Sequence, residues 1–117
     1  MNEPKVSVGI MFEPQIGFIL NSPFLFNGKE YSGEQLVSLR DNKIEWKGEL
    51  YDTIRFDPAN EELASFELKD VTIGINFHWE RKENQVFKGS LKLITEDSKI
   101  TAVNILGVEE YLTSVIS

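Results

Sequence analysis

Apolar and polar residues alternate along most of the chain, and Gly, Asn and Asp interrupt the alternation at short intervals. A period of two puts every second side chain on one face, so the pattern predicts antiparallel strands joined by tight turns. Val6, Val8 and Ile10 share a face of a first strand, and Ile16 to Leu20 continue in extended form after Pro14. The plainest turn signal is Asn27-Gly28, within Phe24-Leu25-Phe26-Asn27-Gly28-Lys29-Glu30-Tyr31. Both turn residues accept the positive φ angles of a type I′ hairpin, which sets Phe24 opposite Tyr31. A second hairpin turning at Asp41-Asn42 places Leu39 opposite Ile44 and Val37 opposite Trp46, with Ser38 and Glu45 on the other face.

Asp57-Pro58-Ala59-Asn60-Glu61-Glu62 has no apolar residue larger than Ala and predicts a surface loop dividing two groups of strands. Beyond it, Val71, Ile73, Ile75, Phe77 and Trp79 fall on one face of a long strand, and Thr72, Gly74, Asn76, His78 and Glu80 on the other. The polar run Glu80-Arg81-Lys82-Glu83-Asn84 is expected to reverse the chain. Phe87, Leu91 and Leu93 then face one way on a return strand, and Glu96-Asp97-Ser98 turns into a last strand from Lys99 to Leu106, completing a three-stranded meander. After Gly107 the period lengthens. Val108, Tyr111, Leu112, Val115 and Ile116 form a helical stripe, and Glu109 and Glu110 in the first turn offset the helix dipole. That helix reaches Ser117 without a Gly, Lys, Arg or Pro stop, so it is expected to continue in a longer chain. The fold class predicted is mainly β (α+β): an antiparallel sheet or partly open barrel of hairpins and meander, closed by a short C-terminal α-helix.

Composition narrows the chemistry. A length of 117 residues suits one domain, 1–117, with a single core. There is no Cys and one His, which removes disulfides, thiolate nucleophiles and the usual zinc ligand sets. Twelve basic against nineteen acidic residues give a net charge of -7, so the chain lacks the positive field that nucleic acid requires. No stretch approaches the ~18 apolar residues of a membrane-spanning helix, and Met1 to Lys5 show no basic segment leading into an apolar one. No Gly-rich phosphate loop or regular Ca²⁺ loop occurs, and neither a cofactor nor a metal is expected.

Three stretches of the C-terminal third carry a family pattern. Phe87-Lys88-Gly89-Ser90-Leu91-Lys92-Leu93, Ile100-Thr101-Ala102-Val103-Asn104-Ile105-Leu106 and Val108-Glu109-Glu110-Tyr111-Leu112-Thr113-Ser114-Val115-Ile116-Ser117 resemble the opening of the SpoIID/LytB domain. Val6 to Ile10, Val71 to Ile75 and Phe77-His78-Trp79-Glu80-Arg81 are similar to the Bacteroidetes branch of that family. The similarity spans most of the chain but is specific only from Phe87 to Ser117. The family includes the sporulation protein SpoIID, a lytic transglycosylase of peptidoglycan, and LytB-type modifiers of amidases.

The resemblance implies a bacterial, cell-envelope protein whose partners are peptidoglycan glycan or a cell-wall amidase. It also exposes a departure. The family's catalytic glutamate follows the helix in a Ser-Glu-Met segment that these residues do not contain, so no catalytic residue is assigned and the chain is expected to scaffold the catalytic helix and one wall of a glycan groove. A general acid needs its carboxyl beside the glycosidic oxygen. The alternative is a stand-alone β-rich module that recruits a cell-wall hydrolase, a glycan or another protein. Candidate substrate-binding residues are His78, Trp79 and Tyr111. Against them stand bland alternatives: His78 as a rim residue paired with a carboxylate, and Trp79, like Trp46, as core. Glu109 and Glu110 point about 100° apart on a helix and do not face one another as a catalytic pair would.

Overall fold

A computed structural model describes residues 5–76 and 79–107, with 71–76 and 79–83 described through their backbone. Ten strands occur among them: β1 (Lys5–Glu13), β2 (Gln15–Phe26), β3 (Lys29–Arg40), β4 (Lys43–Trp46), β5 (Glu49–Tyr51), β6 (Thr53–Pro58), β7 (Phe66–Asn76), β8 (Trp79–Phe87), β9 (Ser90–Glu96) and β10 (Lys99–Gly107). All pairings are antiparallel. The expected β class therefore holds, while the helix expected over 108–116 lies outside the described residues.

The sheet runs β1-β10-β9-β6-β2-β3-β4-β5, with β7 attached to β2 and β8 to β7. It forks because β2 changes partner along its length. Phe18 to Leu20 pair with Leu68 to Phe66 of β7, whereas Phe24 and Leu25 pair with Pro58 and Asp57 of β6. The exchange takes place at a bulge between Leu20 and Phe24, where Pro23 has no N–H to offer a ladder. Here the Asn21 amide donates to the Ser65 carbonyl at 3.0 Å and the Ala59 amide to the Pro23 carbonyl at 3.0 Å.

Both branches close over one core. Ile16, Phe18, Leu20 and Phe24 of β2 are buried together with Ile54 and Phe56 of β6, Leu91 and Leu93 of β9, and Ile100 and Ala102 of β10. Trp46 belongs to this core, as its sequence face predicts, at 2% exposure. Its Nε1–H donates to Gln35 Oε1 at 3.1 Å, which satisfies the one polar atom of a buried indole.

The hairpins predicted at Asn27-Gly28 and Asp41-Asn42 form in the expected register, with Phe24 opposite Tyr31, Leu39 opposite Ile44, and Ser38 opposite Glu45. Asn27 (φ 52°), Gly28 (79°), Asp41 (53°) and Asn42 (61°) all take the left-handed conformation that such turns demand. Asp97 (47°) and Ser98 (62°) form a third turn of this kind, between β9 and β10.

Between Val71 and Leu93 the structure corrects the sequence expectation twice. Asn76 of β7 pairs with Trp79 of β8, so 80–84 lie within a strand and do not reverse the chain. Arg81, Lys82 and Glu83, expected in a loop, lie in β8 opposite Ile73, Thr72 and Val71. Among the described residues β8 pairs only with β7, and charged residues suit a strand whose outer edge is unpaired. The predicted return strand is two strands. Phe87 ends β8, and Leu91 and Leu93 belong to β9, which pairs with β6 and β10, so hairpins β7–β8 and β9–β10 replace the three-stranded meander.

Candidate functional site

The residues singled out for glycan contact are not brought together among the described residues. His78 and Tyr111 lie outside them, as do Glu109 and Glu110. Trp79 opens β8 opposite Asn76, and its side chain is outside the description. Two other places combine polar chemistry with defined geometry.

The first is the corner between β8 and β9. Gly89 has φ +89°, and a Cβ placed on it would stand 2.4 Å from the Ile105 carbonyl oxygen and 2.9 Å from Leu106 Cβ. The chain can cross β10 this closely only because residue 89 has no side chain. Asn104, 4% exposed, straddles the crossing: its Nδ2 donates to the Lys88 carbonyl at 2.7 Å and to the Ser90 carbonyl at 3.1 Å. One amide thus bridges the carbonyls on either side of Gly89. Next to it, Ser90 Oγ donates to Asp57 Oδ1 at 2.7 Å, and Arg55 Nε donates to the same oxygen at 2.9 Å.

β6, β9 and β10 are therefore tied at one point, and Ile105, Leu106 and Gly107 are buried where β10 finishes. The chemistry of the corner is anchoring. Among the described residues Ser90 faces a carboxylate and no imidazole or amine that could take its proton, while the Asp57 oxygen already accepts from a guanidinium and a hydroxyl. Neither group is placed as a nucleophile or a general acid.

The second place is a cleft of about 500 Å³ among β1, β2, β3 and β7. Gly17 lies at its floor, and a methyl group on it would meet Lys69 Cδ at 3.5 Å and Leu36 Cδ1 at 3.9 Å, both ordinary van der Waals contacts. Lys69 reaches across β2 and donates to Glu34 Oε2 of β3. That hydrogen bond, and then the ammonium charge, hold the Glu34 carboxyl below its ordinary value of 4.5. Glu13 and Asp70 also line the cleft, and no aromatic ring does. Among the described residues its one lysine is already paired, and they offer a ligand neither a stacking face nor a free cation. Among the described residues no group of three or more His, Cys, Asp or Glu is placed to hold a metal ion.

The meeting of Lys88-Gly89-Ser90 with Asn104-Ile105-Leu106 is invisible to local sequence reasoning. The chain matches no family model, no curated protein and no solved structure.

Proposed function

We propose that these 117 residues form the non-catalytic front portion of a SpoIID/LytB-like protein acting on peptidoglycan, as a lytic transglycosylase or an amidase modifier. The observation that supports this reading is the corner itself. Phe87-Lys88-Gly89-Ser90 and Asn104-Ile105-Leu106, the two described stretches that carry the resemblance, are the residues that lock together there. Their spacing in the sequence then has a mechanical purpose. Gly89 permits the crossing, Asn104 fixes it, and the segment after Gly107 departs from a buried point held between β1 and β9.

A carboxyl that cleaves a glycosidic bond has to be held within about 0.5 Å of its productive position. A scaffold that anchors the root of the catalytic helix meets that need without contributing a catalytic group. The test is muropeptide release from purified glycan by the entire product of the gene, with amidase stimulation measured in parallel. One of the two activities is expected, and Asn104→Ala should lower it at a temperature where the variant remains folded. Absence of both activities overturns the proposal.

A second reading, a stand-alone module recruiting a hydrolase, a glycan or another protein, draws on Phe12 and Val86, which are 60% and 59% exposed on strands whose outer edges are unpaired among the described residues. It predicts capture of a partner by the 117-residue chain with no activity of its own.

A further inference from the structure

The tips of two hairpins carry a pocket that shares no lining residue with the Gly89 corner. Asn27 of the β2–β3 turn and Lys47 of the β4–β5 turn both line a cavity of about 300 Å³. Phe26, Tyr31 and Tyr51 supply aromatic walls, and the buried Trp46 forms the base on which they pack. Ring centres lie 4.9 Å apart for Tyr31 and Trp46 and 5.4 Å apart for Phe26 and Tyr51, both edge to face. Trp46 spends its N–H on Gln35, so the indole is fixed as a platform. Burial, and then the Glu49 carboxylate, push the Tyr51 phenol above its ordinary range, which keeps it a hydrogen-bond donor.

The charge around the rings is the opposite of the chain's. Lys29 and Lys47 line the cavity against a single carboxylate, Glu49, in a protein of net charge -7. Among the described residues neither lysine forms an ion pair, as is also true of Lys5, Lys88, Lys92 and Lys99. Lys47 Nζ lies 5.6 Å from the centre of the Trp46 ring and 5.9 Å from that of Tyr31, within cation–π range of both.

The backbone that carries this ammonium is itself unusual. Lys47 has φ 52° at the first position of a two-residue turn, where the other hairpins place Asn27, Asp41 and Asp97. Those residues enter the left-handed region more readily than lysine, so the turn accepts some strain at the residue that brings a cation over the rings.

We infer that this pocket binds one saccharide ring carrying a carboxylate. The apolar C–H face of the sugar stacks on Tyr31 and Tyr51, and its carboxylate pairs with Lys29 and Lys47, drawing the Lys47 ammonium off the rings. The volume is at the small end for ligand sites, sufficient for a single ring. Two lysines disfavour a cationic ligand, and a bare phosphate leaves the ring faces unused. The inference rests on the peptidoglycan reading only for the identity of the sugar, which would then be N-acetylmuramic acid.

The experiment is a titration of the 117-residue chain followed by two-dimensional NMR, with N-acetylmuramic acid, glucuronic acid, N-acetylglucosamine and inorganic phosphate as probes. Acidic sugars should shift the Tyr31, Lys47 and Tyr51 amides and the Trp46 indole N–H, and should bind about fivefold more tightly than the neutral sugar. Lys47→Asn supplies a better turn residue. It should raise the urea midpoint while weakening N-acetylmuramic acid about fivefold, so that the preference for the acidic over the neutral sugar is lost. Tyr51→Leu should weaken both sugars. Absence of shifts with both acidic sugars, or the same shifts with phosphate alone, overturns the inference, as does Lys47→Asn binding with unaltered affinity. Binding of glucuronic acid without N-acetylmuramic acid supports the pocket and counts against peptidoglycan as its source. Muropeptide release by the entire gene product reports on the scaffold proposal separately.

Discussion

The β2–β5 hairpins and the β8–β10 corner solve the same problem, reversing a strand over a shared core, by opposite means. In the hairpins the turn residues carry the instruction themselves: Asn27-Gly28 and Asp41-Asn42 accept positive φ, and register follows from them. At the corner the instruction is distributed. Gly89 turns, but what holds the turn is Asn104, fifteen residues later, with Asp57 far upstream bonded to Ser90. A local turn can form before the core exists. The corner has meaning only after β6, β9 and β10 have met, so its residues tie tertiary structure and not local geometry.

The sharpest way to break this contrast is to add the same methyl group on both sides. Gly89→Ala places a Cβ against the Ile105 carbonyl and strains φ, and should destabilise by about 3 to 5 kcal/mol in urea unfolding. Asn104→Ala comes next. It removes both hydrogen bonds that flank Gly89, to the Lys88 and Ser90 carbonyls, and should cost about 2 to 3 kcal/mol. Gly28→Ala, with φ +79° and nothing within 4 Å of the added Cβ, should cost only about 1 kcal/mol. If Gly28→Ala proved as damaging as Gly89→Ala, the distinction between local and distributed turns would fall.

The smallest expected effect concerns the Lys69–Glu34 pair that joins the two halves across β2. Glu34 has its folded-state pKa lowered by Lys69, so its contribution to stability is present above the ordinary value of 4.5 and lost as pH falls through the folded value. Glu34→Gln should therefore lower the unfolding midpoint slightly at neutral pH, and the two proteins should converge in acid. A difference that persisted below the folded pKa would show that the mutation acts through packing.

The same contrast explains what could be read in the sequence. Turns made of Asn, Asp, Gly and Ser were legible, and with them the pairing of Phe24 with Tyr31 and the burial of Trp46. The Lys47-Gly48 turn was not, because lysine is an unusual left-handed residue and the strands beside it are only four and three residues long. The corner misled for another reason. Phe87, Gly89, Leu91 and Leu93 keep a period of two straight through the break, so alternation gives no sign that the chain changes partners. Of the corner, the strand alternation of Leu91 to Leu93 and Ile100 to Ala102 was legible, but the meeting of Gly89 with Ile105 was not, since that contact is set by packing. The aromatic pocket was hidden similarly, its Tyr31, Lys47 and Tyr51 coming from separate strands and a turn.

One pairing also fixes how force passes through the molecule. β1 lies against β10 with Lys5 opposite Gly107, so the first and last described strands begin and finish side by side. Tension applied at these two residues loads the hydrogen bonds one pair at a time, from Lys5–Gly107 inward, as in opening a zipper. The Gly89 corner lies on the other flank of β10, where it resists the peeling of β9 but not of β1. A tether pulling on both ends should accordingly release β1 first, at low force, and leave the rest of the sheet assembled.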